Sequence, residues 1–177
     1  MADLTFAVVA DWAGVRETGA GQLTADERTY EFSVPRDMGG RGVGTSPEEL
    51  LTFAVCTCFT STLFALLSRA RLPAAKLTVA AQGKVTGFPG RDARFAEVRV
   101  NPTVHGGDVG RLEEYAKFAC QARDRCFIGR TLRGNVAYIV GEVNVESGKD
   151  AEHTTARCSV WPTPEVEVSA PSARASA

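Results

Sequence analysis

One uncharged segment, residues 50–68, constrains the fold of this chain more than any other feature. An apolar run of this length lies near the lower limit for a helix that crosses a membrane. Threonine and serine residues interrupt it, and no second run of this kind follows. A helix that is apolar on nearly all sides in a water-soluble chain is a buried central helix. We therefore predict a core helix here and no membrane partner.

Local signals predict where this helix begins and ends. Thr45 or Ser46 can cap its first turn, and Pro47 suits the first helical position. The two glutamates that follow favour the positive end of the helix dipole. The helix is predicted to run to about Arg71, because Pro73 stops it.

Elsewhere the pattern predicts strands that are grouped apart from a second helix. The predicted strands are 5–10, 29–34, 77–86, 94–104 and 136–145. The second helix opens at Gly107-Asp108 and breaks near Cys126. This grouping predicts an α+β fold with a mostly antiparallel sheet around the apolar helix. Residues 1–146 form the predicted domain, and residues 147–177, rich in Ser, Ala, Pro and Thr, form a predicted tail of low order.

Composition narrows the classes of function. The chain has 20 basic and 21 acidic residues, and this balance predicts no nucleic-acid partner. The first residues include Asp3 and no basic stretch, so they predict a cytoplasmic protein without a signal peptide. In that compartment the five cysteines are expected to be buried, catalytic or metal-bound rather than joined in structural disulfides.

Cys56 and Cys58 lie one residue apart inside the apolar segment. On a helix such residues point about 200° apart, so the two thiols can neither bridge each other nor bind one metal ion. The chain has two histidines, and this ligand count gives a metal site little support. Each thiol is therefore either a packing group or a reactive group, and the helix pattern alone does not decide between these roles.

A reactive thiol on an apolar helix needs a fixed cation, because burial disfavours the thiolate. Such a cysteine predicts an inward-pointing arginine and a carboxylate that holds it. Arg16, among small residues, and Glu48, in the first turn of the predicted helix, are the candidates. Taken alone, Arg16 is a solvated turn charge and Glu48 is a partner of the helix dipole.

Four segments carry motifs that resemble those of one known family. "GVRETG" is similar to a Gly-Gly-Arg-Asp-Gly turn and supplies Arg16, and "PRDMGGRGVGTSPEELL" is similar to a Pro-Arg-Glu-Leu-Gly-Gly…Asn-Pro-Glu-Gln-Leu stretch and supplies Glu48. "CTCFTSTL" resembles an Ala-Ala-Cys-Phe motif that selects Cys58 and not Cys56. "CFIGRTLRGNV" resembles Cys-Pro-x-Ser-x-x-x-Arg-Gly-Asn and supplies Cys126. The family is OsmC/Ohr, the lipoyl-dependent thiol peroxidases that reduce organic hydroperoxides.

The resemblance extends over residues 4–146 and implies an intertwined homodimer with two active sites at its interface. By this resemblance Cys58 attacks an organic or fatty-acid hydroperoxide, and Cys126 then closes a disulfide with it. Arg16 stabilises the thiolate and Glu48 orients Arg16. No cofactor is bound; the reductant is dihydrolipoamide, free or on a lipoylated protein.

Helix geometry bears on how these residues meet. Ten residues separate Glu48 from Cys58, or about 15 Å along a straight helix. We therefore expect the Arg16–Glu48 pair to reach Cys58 from the other subunit.

The chain departs from the family pattern around the second cysteine. Phe127 and Gly129 stand where Pro and Ser are usual, and Ser46 replaces an Asn. The missing Pro bears on the geometry around Cys126 and on the rate of disulfide closure.

The remaining cysteines are additional to the motifs. Cys56 is predicted to pack, and Cys120 to pack or to serve as an alternative resolving thiol. Cys158, in the tail, is predicted to be an exposed spectator. Two other functions stay open: a non-catalytic binding module for an apolar ligand, and a redox sensor whose disulfide signals to a partner.

Overall fold

The computed structural model describes residues 2–147 and 153–158. The helices are α1 (Pro47–Arg69), α2 (Leu112–Arg125) and α3 (Phe127–Thr131). The strands are β1 (Val9–Ala13), β2 (Ala20–Ala25), β3 (Arg28–Phe32), β4 (Lys76–Thr86), β5 (Arg94–His105), β6 (Ala137–Val140), β7 (Glu142–Glu146) and β8 (His153–Arg157). The predicted α+β class is confirmed.

Helix α1 begins where its capping residues predict. The Ser46 side chain accepts a hydrogen bond from the Glu49 backbone N–H at 3.2 Å, and the Glu49 carboxylate accepts one from the Ser46 backbone N–H at 2.9 Å. This reciprocal pair is a capping box, and Pro47 occupies the first turn beside it. The helix ends at Arg69, two residues before the predicted end.

The first three strands form an antiparallel sheet of their own, in the order β1-β2-β3. No residue of these three strands is buried, although Trp12 and Phe32 pack together with ring centroids 5.2 Å apart. Strand β2 is not among the predicted strands. Glycines at positions 19 and 21, at the start of this strand, are more typical of loops. Within one chain this sheet therefore has no core beneath it.

The second sheet has the order β4-β5-β7-β8, with β6 also paired to β5. Strands β4 and β5 are the predicted antiparallel hairpin. The predicted single strand 136–145 is instead two strands separated by Gly141, and both run parallel to β5. The Gly141 backbone N–H donates to the Val100 carbonyl at 2.9 Å, so the chain stays hydrogen-bonded to β5 between the two strands.

The core lies between this sheet, α1 and α2. Helix α1 contributes one buried stripe, formed by Val55, Phe59, Leu63, Leu66 and Leu67. The alternate residues of β5 that face the helix are also fully or almost fully buried. This alternation is the period-two pattern of a half-buried strand.

The opposite face of α1 is open. Phe53 is 58% exposed and Phe64 is 42% exposed. Among the described residues α1 is the one helix long and apolar enough to cross a membrane, and 28% of its most apolar window is buried. The burial on all sides that the sequence predicts is thus not reached within a single chain.

The structure differs from the sequence predictions at β8 and at the residue that follows it, Cys158. Strand β8 pairs antiparallel with β7 inside the segment predicted as a low-order tail. Cys158 follows this strand and forms a disulfide with Cys120 of α2, with Cα atoms 6.1 Å apart. Cys158 is therefore not a spectator, and Cys120 is not free to resolve another thiol while this bond exists. The sequence also predicts an extended segment at 165–168, and this segment lies outside the described residues.

Candidate functional site

The site is built where α1 meets the start of α3. Helix α2 ends at Arg125 because Cys126 leaves helical geometry, with φ −59° and ψ 112°. Cys126 then caps α3, and its sulfur accepts a hydrogen bond from the Gly129 backbone N–H at 3.3 Å. The Cys126 side chain also lies close enough to that of Cys58 on α1 to affect its ionisation. The structure thus brings two of the four sequence-predicted site residues together.

The two cysteines have different surroundings. Cys126 is fully buried, whereas Cys58 is partly exposed. Burial, and after it the neighbouring Cys58 thiol, raise the pKa of Cys126 to about 12. The Gly129 N–H and the Tyr138 hydroxyl act against this rise. Cys126 therefore keeps its proton at neutral pH and can donate it to Cys58.

Tyr138 is a third member of this cluster that the sequence analysis missed. Its side chain is fully buried on β6, and its hydroxyl lies close enough to the Cys126 thiol for the two groups to influence each other's pKa. Burial raises the pKa of Tyr138, and the nearby thiolate charges of Cys126 and Cys58 add to the rise. The residue therefore stays a neutral donor. Its only sequence signal is its place in a short apolar strand, which is also the pattern of a packing residue.

Cys56 lies on the other side of α1, as helical geometry predicts. Its sulfur is 3.5 Å from the Val79 carbonyl of β4, and burial raises the pKa of its thiol. Cys56 does not take part in the contact between Cys58 and Cys126.

Glu48 is in the first turn of α1, beside a pocket of about 430 Å³ that Phe53, Cys56 and Phe95 also line. Its Oε2 atom is buried and has no hydrogen-bond partner in the described part of the chain. An unpaired buried carboxylate oxygen is costly, because its hydration is lost without replacement. The environment of Glu48 is therefore incomplete in a single chain.

Arg16 begins a short 3₁₀ turn between β1 and β2 and is exposed. Its φ of 31° lies in the left-handed region, which side chains other than glycine adopt at a cost. Within residues 2–147 and 153–158 it forms no ion pair, so one chain does not bring Arg16 and Glu48 together.

Of the apolar neighbours of Cys58, two are unavailable to a ligand. Phe59 and Leu63 are buried in the core, whereas Phe53 and Phe64 face outward. The described residues contain no cluster of three or more His, Cys, Asp or Glu side chains that could hold a metal ion.

Fold and site together define an α+β protein with a dithiol centre between two helices. Residues 39–140 match the family model described as OsmC-like protein, and the chain belongs to this family. The chain is 30% identical over 139 residues to the uncharacterized protein YmaD of Bacillus subtilis, which covers 77% of this chain and 91% of YmaD.

Solved structures show the same fold. An organic hydroperoxide resistance protein OsmC from Legionella pneumophila matches with a TM-score of 0.62 and 20% identity, covering 81% of this chain and 98% of that one. The organic hydroperoxide resistance protein OhrB of Bacillus subtilis matches with a TM-score of 0.58 and 19% identity, covering 77% and 96%. The resemblance to OsmC/Ohr proteins that the motifs predict is thus confirmed.

Proposed function

We propose that this protein is a thiol-dependent peroxidase that reduces organic hydroperoxides to alcohols. The observation that carries the proposal is the contact between a partly exposed thiol, Cys58, and a fully buried one, Cys126. This arrangement suits two successive steps, because the partly exposed thiol can react with a peroxide from solvent and the buried thiol can then react with the oxidised one. The names of the structural relatives, organic hydroperoxide resistance proteins, support the choice of substrate class.

In the first step the Cys58 thiolate attacks one oxygen of the hydroperoxide and the O–O bond breaks. The alkoxide leaves and takes up a proton as the alcohol, and Cys58 becomes a sulfenic acid. In the second step the Cys126 sulfur attacks the Cys58 sulfur and water leaves, which forms a disulfide. A dithiol such as dihydrolipoamide reduces this disulfide and is itself oxidised to a cyclic disulfide.

Arg16 and Glu48 complete the site in a homodimer. Glu48 has a buried oxygen without a partner, and Arg16 has no ion pair in the described chain. The β1–β3 sheet that carries Arg16 lacks a core, and α1 has an open apolar face. A second copy that covers this face with its first sheet would bring an Arg16–Glu48 pair from one subunit to the Cys58 of the other. There the guanidinium would stabilise the Cys58 thiolate and polarise the peroxide.

Phe53 and Phe64, exposed on α1, favour alkyl, aryl or fatty-acid hydroperoxides over hydrogen peroxide. The enzyme would act in the cytoplasm and would need no bound cofactor. A partner protein with a lipoyl group, or free dihydrolipoamide, would supply electrons.

The test is turnover of cumene hydroperoxide with dihydrolipoamide by the pure protein. We expect many turnovers for the wild type, none for Cys58→Ser and nearly wild-type turnover for Cys56→Ser, since Cys56 faces β4. Turnover by Cys58→Ser would overturn the proposal. A protein that oxidises once and is not reduced again by the dithiol would instead be a redox sensor, and one that never oxidises would be a binding module.

A further inference from the structure

Three polar side chains form a hydrogen-bonded chain across three strands of the second sheet. Oγ1 of Thr78 on β4 lies 2.8 Å from Nε2 of His105 on β5, and Nδ1 of His105 lies 2.7 Å from Oε2 of Glu146 on β7. The residues that alternate with His105 along β5 are the buried ones that face α1. This chain of side chains therefore lies on the outer face of the sheet, away from the dithiol site.

The partners of the two ring nitrogens define the direction of both hydrogen bonds when His105 is neutral. An ionised carboxylate can only accept, so Nδ1 of His105 carries the ring proton and donates it to Glu146. Nε2 then has a free lone pair and accepts the hydroxyl proton of Thr78. A hydroxyl held on an imidazole that a carboxylate orients is the arrangement that activates a hydroxyl as a nucleophile.

The hydroxyl at the end of this chain is open to solvent. Thr78 is exposed, and the side chains of His105 and Glu146 are 33% and 46% exposed. Lys76 is also exposed, lies two residues before Thr78 on the same face and is the register partner of His105. Its long, flexible side chain can bring a positive charge to an acyl group on Thr78. A small substrate thus has access to a nucleophile, a base and a cation.

We propose that Thr78, His105 and Glu146 form a second catalytic centre, which transfers the acyl group of a small activated ester to water. Thr78 is the nucleophile, His105 is the general base and Glu146 is a positioning residue that holds the imidazole. Lys76 stabilises the oxyanion that develops on the acyl oxygen. This activity goes beyond the proposed peroxidase and uses none of its residues.

The reaction is a balanced hydrolysis without electron transfer. Oγ1 of Thr78 forms a bond to the acyl carbon, and Nε2 of His105 takes the hydroxyl proton. The bond between the acyl carbon and the leaving oxygen then breaks, and His105 gives the proton to the leaving alcohol or phenol. Water attacks the Thr78 ester in the same way, with His105 again moving the proton. The products are the alcohol or phenol and the carboxylic acid.

The test is hydrolysis of p-nitrophenyl acetate by the full-length protein, followed by the absorbance of p-nitrophenolate. Thiols also attack this ester, so every protein compared carries Cys56→Ser and Cys58→Ser. We expect saturable turnover and, after acid quenching, an acetyl group on Thr78 in peptide maps. Thr78→Val and His105→Gln should each lower kcat by about a hundredfold, as expected for loss of the nucleophile or the general base. Thr78→Ser should retain turnover, because serine keeps the hydroxyl.

Two further variants and a control separate chemistry from structure. Glu146→Gln should lower kcat by about tenfold and leave KM unchanged, since it alters the imidazole and not the binding of the ester. Lys76→Gln should lower kcat by about fivefold. Thr155→Val is the matched control, because Thr155 lies in the same cross-strand row as Thr78 but its hydroxyl donates to the amide of Asn144 at 2.9 Å. It should leave kcat unchanged.

Three results would overturn the proposal: full turnover in Thr78→Val, full turnover in His105→Gln, or acetyl groups on lysines alone. If the three side chains serve only to tie the strands together, the variants should lose free energy of unfolding and hydrolyse the ester as fast as the parent protein. If His105→Gln does not fold, the acetylated peptide and the contrast between Thr78→Ser and Thr78→Val decide the question. None of these readouts uses a peroxide, so they stand or fall separately from the proposed peroxidase.

Discussion

The thiol of Cys126 lies beside the thiol of Cys58, where α3 packs against α1, and the two groups influence each other's ionisation. One sulfur is fully buried and the other is partly exposed. The two thiols are therefore neighbours in one site, on helices that pack against each other. The order of events follows from this asymmetry: an oxidant from solvent reaches Cys58 first, and Cys126 acts second.

Cys126→Ser should separate the two chemical steps. The serine hydroxyl fills a similar space but cannot form a disulfide, so peroxide should leave Cys58 as a sulfenic acid. We expect dimedone to label Cys58 in this variant and hardly at all in the wild type, as read by peptide mass spectrometry. Cys120→Ser is the matched control, because Cys120 is bonded to Cys158 and the wild-type Cys58–Cys126 disulfide should persist. A Cys58–Cys120 disulfide in the wild type or in Cys126→Ser would contradict this assignment.

The raised pKa of Cys126 predicts a pH effect on stability. Burial raises this pKa from 9.0 to about 12, so between these pH values the unfolded chain has lost a proton that the folded chain keeps. The folded state then binds more protons, and its stability falls as pH rises. The slope attributable to this one group is at most about 1.4 kcal/mol per pH unit.

Urea unfolding of the reduced protein at pH 8, 9.5 and 10.5 checks this prediction. The wild type should lose free energy of unfolding more steeply with pH than Cys126→Ala does. Comparing the two proteins removes the contribution of the tyrosines and other groups that they share. Parallel pH profiles would show that the Cys126 proton is not coupled to folding.

Tyr138→Phe should slow the second chemical step. The nearby Tyr138 hydroxyl lowers the pKa of Cys126, although burial outweighs this effect. Without the hydroxyl the Cys126 thiolate is harder to form, and disulfide closure should slow by up to about fivefold, which corresponds to one polar interaction of about 1 kcal/mol. Rapid-quench measurement of disulfide formation after one equivalent of peroxide gives the rate.

Tyr115→Phe is the control for this experiment. Tyr115 is also fully buried, and its hydroxyl donates to the Pro73 carbonyl at 2.6 Å, a bond that is separate from the dithiol. Its loss should lower stability and leave the closure rate unchanged. An equal slowing in both variants would mean that tyrosine hydroxyls act through general stability alone.

Features encoded by neighbouring residues were predictable from the sequence. The start of α1 follows from Ser46, Pro47 and Glu49, which lie within one turn and cap it directly. The β4–β5 hairpin was predicted from two neighbouring segments in which apolar and polar residues largely alternate. In both cases the structural cause and the sequence signal lie in the same short segment.

Features that depend on distant contacts were not predictable in this way. The Cys120–Cys158 bond follows from the pairing of β8 with β7, which brings together residues 38 positions apart. Tyr138 acquires its role only because β6 lies beside Cys126. Likewise, helix geometry separated Cys56 from Cys58 but could not show which of the two faces another thiol.

Glu48→Gln tests whether a second copy completes the site. In a dimer with Arg16 beside Glu48, this change removes a charge-assisted pair, typically worth about 1.5–3 kcal/mol, so kcat/KM for cumene hydroperoxide should fall by about tenfold or more. Arg16→Gln should show at least as large a loss, because it also removes the cation beside Cys58, and the double variant should be little worse than Arg16→Gln alone. Glu49→Gln is the matched control, since glutamine also completes a capping box and should leave kcat/KM unchanged. If the Glu48 oxygen has no partner in solution, Glu48→Gln should instead raise the free energy of unfolding and leave turnover intact, and sedimentation of the same samples should then show a monomer.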